Sequence, residues 1–261
     1  MTNYYSQHGE DYLLDTMFAG QSSGFFVEVG CIDGKRYSNT LAFEELGWRG
    51  ICVEAHAGYI ELLRKNRPSS VVVHCAVGDR DQAEVVFYAN SRGSLSTLDR
   101  SREAQFSEKY ASFFTGFEEQ RIPMKTLDTI FAETGVEKID ILSIDIEGSE
   151  IQALRGMSFE KYRPQVLVIE SDSRRHEAEL DRLLLPPGYR KSVKIGPNIF
   201  YVSAAGFPSG IPKMKRTVEV IHTAHPLDGG SDAKHLVVVD TNRGLGSRLK
   251  YIARSAWNAI S

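Results

Sequence analysis

Acidic residues and glycines stand where a parallel sheet would hand its chain over to a ligand. The run Phe25-Phe26-Val27-Glu28-Val29 leads directly into Gly30-Cys31-Ile32-Asp33-Gly34. A glycine ending the first parallel strand lets the backbone turn tightly beneath a ligand, and a second one four residues later permits close approach. A further run, Ile51-Cys52-Val53-Glu54, ends on a carboxylate 26 positions after Glu28. An anionic acceptor at that point can take both hydroxyl hydrogens of an adenosine ribose.

Two nucleotide cofactors compete for this layout. A dinucleotide needs a G-x-G-x-x-G turn that presents backbone amides to its pyrophosphate. Here the middle glycine is missing, and Asp33 stands where the phosphates would approach. A carboxylate there repels a diphosphate but tolerates a sulfonium with an amino-acid tail, and Glu28 within the strand suits a positively charged ligand. The pattern therefore favours S-adenosylmethionine over NAD.

Asp145 and Glu147 leave another apolar run, Ile139–Ile144, toward the reacting end of such a cofactor. Methyl transfer needs the acceptor in line with the methyl, and a base if the acceptor is a hydroxyl. Asp145, Glu147 and Glu170 are the candidate catalytic residues, orienting the acceptor or taking its proton. With Glu170 or Asp172, the same carboxylates are alternatively of the kind that holds a divalent cation and acidifies a diol, although no spacing demands a metal. His56 and His74 end strands on the ligand side and offer a base near neutral pH, as does a histidine after the fifth strand, His176; a buried structural role is the alternative for each.

The elements that position these groups follow from periodicity. Five short β-branched runs, at 25–29, 51–54, 71–75, 139–144 and 165–170, read as strands buried on both faces. Helical spacing fits Thr40–Leu46, Ala57–Asn66 and Ser149–Met157. The alternation predicts an α/β fold with a doubly wound, mostly parallel sheet. Ala83–Ala89 and Ile199–Ser203 read as strands at a sheet edge. The stretch 90–121, rich in serine, glutamate and aromatics, offers no strand and reads as a lid or a surface helix. Residues 1–205 form the predicted cofactor-binding domain, and 206–261 an extension with strands near Val218–His222 and Leu236–Val239 and an amphipathic helix over Leu245–Ile260. That helix carries Arg243, Arg248, Lys250 and Arg254 in or beside it with no acid, which suits packing on its own domain or a second copy, or else a membrane surface or another partner.

Composition narrows the setting. The chain has 261 residues, 25% of them charged, and a formal net charge of -3, which argues against a dedicated nucleic-acid binder. The N-terminus lacks the charged and apolar regions of a secretory signal, and Cys31, Cys52 and Cys75 share no metal-ligand spacing. The expectation is a cytoplasmic protein with reduced thiols.

Five ordered motifs then resemble the FkbM-type methyltransferases: Ser6-Gln7-His8-Gly9-Glu10-Asp11, the stretch from Phe26 to Gly34, Ser38-Asn39-Thr40, Gly47 to Glu54, and Ile144-Asp145-Ile146-Glu147-Gly148-Ser149-Glu150. The sequence departs from that pattern at Ala55-His56-Ala57, where many relatives carry a proline. The resemblance runs from about Ser6 to about Ser171. It implies a class I (Rossmann-like) S-adenosylmethionine fold and O-methylation of a sugar, glycan or natural product. By the same resemblance, Gly30 and Gly34 line the methionine part of the cofactor, Glu54 holds the ribose, and Ala76 and Val77 border the adenine. Gln7 and Glu10 come from a segment that folds over the pocket. Ser38 and Asn39 hold a carboxylate or merely cap a helix. An N-methyltransferase and a non-catalytic recruitment module on the same fold are the rival readings.

Overall fold

Runs of β-branched residues become the interior of one sheet because helices cover both of its faces. The computed structural model describes residues 2–207, 209–223 and 231–242. The chain opens with α1 (Glu10–Met17), β1 (Phe25–Val29), α2 (Leu41–Glu45), β2 (Arg49–Glu54), α3 (Ile60–Asn66) and β3 (Ser70–His74). It continues through β4 (Ala76–Val77), β5 (Gln82–Asn90), α4 (Glu103–Lys109), β6 (Phe117–Lys125) and α5 (Leu127–Thr134). Then come β7 (Ile141–Ile144), α6 (Glu150–Arg155), β8 (Val166–Glu170), α7 (Arg174–Leu184), β9 (Tyr189–Ile195) and β10 (Asn198–Ser203). A hairpin of β11 (Lys215–His222) and β12 (Ala233–Asp240) follows.

The central sheet has seven strands in the order β3-β2-β1-β7-β8-β10-β9. Strands β3, β2, β1, β7 and β8 are mutually parallel, and β10 runs antiparallel to both its neighbours. Alternate side chains feed two separate cores. Val27, Val29, Ile51, Val53, Leu142 and Ile144 pack with Leu127, Ile130 and Phe131 of α5, Leu154 of α6 and Leu180 and Leu184 of α7. Phe26, Cys52, Ile141, Val168 and Phe200 face the other way, onto Leu13 and Leu14 of α1, Phe43 of α2 and Leu63 of α3. Fully burying one such side chain contributes about 1.5–3 kcal/mol, so each helix is held chiefly by its apolar stripe. The order reverses between β1 and β7, and the crevice at their carboxyl ends is where a doubly wound sheet takes a ligand.

Two expectations need correction. Ile199–Ser203 is not an edge strand: β10 lies between β8 and β9, and all six of its residues are buried. The edge is β9, whose exposed and half-buried Arg190, Lys191, Ser192 and Lys194 hid it from a hydrophobic pattern. The stretch 90–121 does contain strand, because β6 starts at Phe117 and pairs with β5 and β4 in a small second sheet. Within it, Phe106 and Phe114 are buried with Leu95 in a core of their own. The expected strands at 218–222 and 236–239 fall in the hairpin, whose Val218 and Val239 join the core that contains α1. The backbone N–H of Ile221 donates to Tyr4 O at 2.6 Å. The helix expected over 245–260 lies outside the described residues. All three cysteines are buried free thiols, and no helix among the described residues is long and apolar enough to cross a membrane.

Candidate active site

A cavity of about 610 Å3 opens at the carboxyl ends of β1, β2, β7 and β8, within the size range of small-molecule sites. Its floor is the turn after β1. Gly30 adopts φ +89°, and its N–H donates to Val53 O at 2.9 Å. The chain of β7 passes so close that a Cβ on Gly30 would meet Asp145 O at 1.8 Å. Only glycine fits both the dihedral and the space.

Glu54 ties this turn to β2. Its carboxylate accepts Ile32 N–H at 2.7 Å and His56 N–H at 2.7 Å. Burial pushes its pKa up to about 7, against the stabilising pull of those amides. Ala76 and Val77 of β4 form an apolar section of the same wall.

At the opposite end stands a group of carboxylates from the loops after β7 and β8. Asp145, Glu147, Glu170 and Asp172 line the cavity. Asp145 opens into the cavity yet is ringed by protein, and burial raises its pKa to about 6. Burial and the neighbouring Asp145 charge push Glu147 up to about 8, and Glu170 also stands well above the ordinary range, by burial and then the same neighbours. Glu147 holds φ +55° beside Gly148 at φ +104°, a strained pair that turns the chain back toward the site. Behind them Glu150, fully buried, accepts Ile146 N–H and Gly148 N–H, both at 3.0 Å, on one oxygen. Its other oxygen has no hydrogen-bond partner and lies 3.5 Å from His176 Nε2. Oxygens of Asp145, Glu150 and Glu170 fall within 4.8 Å of one another, a donor set of the hard type that divalent cations favour.

The segment before β1 and the 90–116 stretch close the sides. Gln7 and His8 line the cavity, and Glu10 is held behind them by Asn198 Nδ2 at 2.8 Å. Phe106, Tyr110 and Phe113 come from the other side. Arg102 docks that segment on the carboxylates, 2.9 Å from Asp172 and 3.9 Å from Glu147. Sequence reasoning did not find Arg102, nor Arg36, which packs on Phe113 of the same stretch, because neither belongs to a pattern that names a partner.

Of the residues expected at the cofactor or the chemistry, Gln7, Glu28, Gly30, Asn39, Glu54, Ala76, Val77, Asp145, Glu147 and Glu170 line this one cavity. Gly34 and Ser38 stand behind the wall. Gly34 is a packing glycine, since a Cβ there would lie 2.6 Å from Arg67 Cγ and from Leu63 Cδ1. Ser38 Oγ–H goes to Glu28 at 2.8 Å, and the same oxygen accepts the N–H of Leu41 as α2 begins. Asn39 gives its N–H to Glu28 at 2.7 Å and Nδ2 to Ser143 Oγ at 3.0 Å. The Glu28 carboxylate also receives Thr40 Oγ1–H and pairs with Arg67 at 3.0 Å, so protein groups already answer its charge. His56 and His74 are off the wall too. His56 Nδ1 accepts Gly58 N–H at 3.1 Å, which leaves Nε2 to donate to Asn90 O at 3.1 Å, and burial lowers its pKa.

A comparison with curated proteins found no match. Among solved structures, the chain is similar to a precorrin-6y C5,15-methyltransferase from Geobacter metallireducens GS-15, at 10% identity and TM-score 0.39, covering 88% of this chain and 85% of that one. It is also similar to an O-methyltransferase from Bacillus cereus in complex with SAH, at 13% identity and TM-score 0.38, covering 74% and 80%. A third is the fibrillarin of Aeropyrum pernix with natively bound S-adenosyl-L-methionine, at 12% identity and TM-score 0.37, covering 69% and 66%. Such distant likenesses carry no argument about chemistry. The family match is of a different order: residues 23–191 fit the Methyltransferase FkbM domain, and the chain belongs to the FkbM methyltransferase family.

Proposed function

We propose that this chain is an S-adenosylmethionine-dependent O-methyltransferase acting on a hydroxyl of a sugar, glycan or natural product. The observation that carries the reading is the arrangement of one cavity, with Glu54 at its β2 end and Asp145 and Glu170 at its β7–β8 end. The residues present suit that cofactor. Glu54 offers an anionic acceptor to ribose hydroxyls, Ala76 and Val77 an apolar border for adenine, and Gly30 a backbone that a ligand can approach closely. Bound there, the cofactor supplies an electrophilic methyl group on a sulfonium.

The chain's own contribution is to hold the acceptor and move its proton. Asp145, with a pKa raised to about 6, is largely ionised at neutral pH yet basic enough to accept a hydroxyl proton. Glu170 beside it shares the charge of that site. Phe106, Tyr110 and Phe113 offer aromatic faces that exclude water and suit the apolar face of a sugar ring. A cation held by Asp145, Glu150 and Glu170 would acidify the hydroxyl instead, and comparing turnover in EDTA and in added Mg2+ separates the two routes. A cytoplasmic setting is part of the proposal, resting on the three free buried thiols.

The test is titration calorimetry with S-adenosylmethionine and, separately, NAD, on the wild-type chain and Glu54→Ala. Binding of the former alone, weakened at least about tenfold by the substitution, is expected from the loss of hydrogen bonds to a charged group. Failure to bind S-adenosylmethionine in a folded sample would favour a recruitment module. Asp145→Asn should keep cofactor affinity and lose about 100-fold or more in turnover. Little loss would point to a nitrogen acceptor, which needs no base.

A further inference from the structure

Arg36 is a buried cation on the cavity wall with no anion among the described residues to answer it. It lies two residues beyond the Gly30–Gly34 turn toward α2, where the Asp33 carboxylate accepts its backbone N–H at 2.8 Å. Its side chain lines the cavity and is only 7% exposed as a residue. Tyr37 and Phe113 pack against its guanidinium, with ring centroids 5.1 and 5.4 Å from Cζ. Yet Nε and Nη1 have no hydrogen-bond partner, and no carboxylate among the described residues is within ion-pair distance. A buried guanidinium is normally paired, because leaving it unpaired forfeits its hydration without return. Two other cations on this wall are matched to carboxylates, Arg102 to Asp172 at 2.9 Å and Lys194 to Glu177 at 3.2 Å, and Lys109 lies over the Tyr110 ring, 4.8 Å from its centroid. Arg36 therefore marks a place in the cavity built for an anion.

We infer that Arg36 is the receptor for a carboxylate, namely that of the amino-acid tail of the cofactor. This rests on the S-adenosylmethionine reading and adds to it the residue that recognises the tail. Three features support the assignment. Arg36 follows the turn after β1, and Asn39 and Gln7 line the same cavity. The groups expected from sequence to hold a carboxylate are spent, as Ser38 Oγ–H and Asn39 N–H both go to Glu28. The acidic groups of the cavity, Asp145, Glu147 and Glu170, stand at the β7–β8 end, so a ligand carboxylate is better met by Arg36, which follows the turn after β1. Stacking between Tyr37 and Phe113 restrains the planar fork, which matches the two oxygens of a carboxylate. Because Phe113 belongs to the 90–116 stretch, the same contact ties that stretch to ligand binding.

The experiment compares S-adenosylhomocysteine with 5′-methylthioadenosine, which keeps the adenosine and sulfur but lacks the amino-acid tail. Both are titrated calorimetrically into the wild-type chain, Arg36→Met and Arg36→Lys. Arg36→Met keeps an unbranched apolar stem between the rings and removes the charge. It should weaken S-adenosylhomocysteine by roughly 30-fold, the loss expected for a charge-assisted hydrogen-bonded pair, and leave methylthioadenosine within about twofold. Arg36→Lys, which keeps the charge without the fork, should fall between. An equal loss for both ligands would overturn the inference by showing that Arg36 only shapes the pocket. Unchanged S-adenosylhomocysteine affinity would also overturn it by showing that Arg36 does not hold the tail. If neither ligand binds the wild-type chain, the cofactor reading itself falls, and the inference with it.

Discussion

The carboxylate of Glu28 and the guanidinium of Arg67 meet at 3.0 Å with both side chains withdrawn from solvent. Arg67 also reaches Glu44 at 2.6 Å and Thr40 Oγ1 at 2.8 Å. One cation thus gathers β1, the loop 34–40, α2 and the end of α3 behind the cavity. Arg67→Met would strand two buried carboxylates, which costs about 3–5 kcal/mol and, in a chain of this size, roughly 10 °C in melting temperature. Thermal unfolding followed by circular dichroism measures it. A shift below about 2 °C would mean that the loop is held by other contacts.

Gly30 and Gly47 share a left-handed backbone, at φ +89° and +94°, but differ in their surroundings. A Cβ on Gly30 would collide with Asp145 O, whereas Gly47 has nothing within 4 Å. Gly47→Ala should therefore cost only dihedral strain, about 1 kcal/mol. Gly30→Ala must also force β1 and β7 apart at the cavity floor, and should cost at least about 3 kcal/mol along with ligand binding. Denaturant midpoints for the two variants decide the matter, since equal losses would show that the close approach is unimportant.

What could be read from the chain follows from how each element is buried. The parallel strands announce themselves, because β1, β2, β7 and β8 are apolar on both faces and need no partner to be recognised. Strand β6 carries Glu118, Glu119, Gln120 and Arg121 in succession, and β9 mixes Arg190, Lys191 and Lys194 with its apolar positions. Each meets solvent on one face, so no continuous apolar run marks it. In the site, acidic strand ends were legible because strand geometry alone carries them to the crevice. Glu28's pairing with Arg67 was not, since 39 residues separate two groups that only the packing of α3 brings together. Arg36 and Arg102 escaped for the same reason: their roles depend on Phe113 and Asp172, which no local pattern links to them.

Arg102 is the clasp between the 90–116 stretch and the carboxylates of the cavity. Its guanidinium contacts Asp172 at 2.9 Å and lies over the Phe106 ring, 5.0 Å from the centroid. Thr97 Oγ1–H donates to Glu147 O at 3.0 Å as a second link. Arg102→Met should free the stretch locally rather than unfold the chain, because the β5–β6 pairing and the Phe106 core remain. Hydrogen exchange over residues 95–115 should quicken by about tenfold while the global melting temperature moves by only a few degrees. Exchange unchanged in that window would remove Arg102 from the role of clasp.

The carboxylates of the site make stability fall as pH rises. Asp145, at about 6, is raised above its ordinary 3.8 by burial first and then by the charges of Glu150 and Glu10. For a carboxyl group whose folded pKa is raised, the unfolded chain releases its proton first. The folded state is thus disfavoured progressively between about pH 4 and 6, and in full above that. Glu54 and Asp11, each raised to about 7 by burial, act in the same direction. Asp145→Asn removes one of these burdens, so it should melt higher than wild type at pH 8 and about equally at pH 4. Water in the cavity screens the site, which keeps the expected gain on the order of 1 kcal/mol. Turnover should move the other way: in the wild-type enzyme it rises with pH as Asp145 ionises through about 6, and in the variant that rise disappears. A variant that is inactive yet more stable at pH 8 would mark Asp145 as a group kept for chemistry at the expense of the fold. Destabilisation at pH 8 would show instead that the ionised carboxylate is held by favourable contacts.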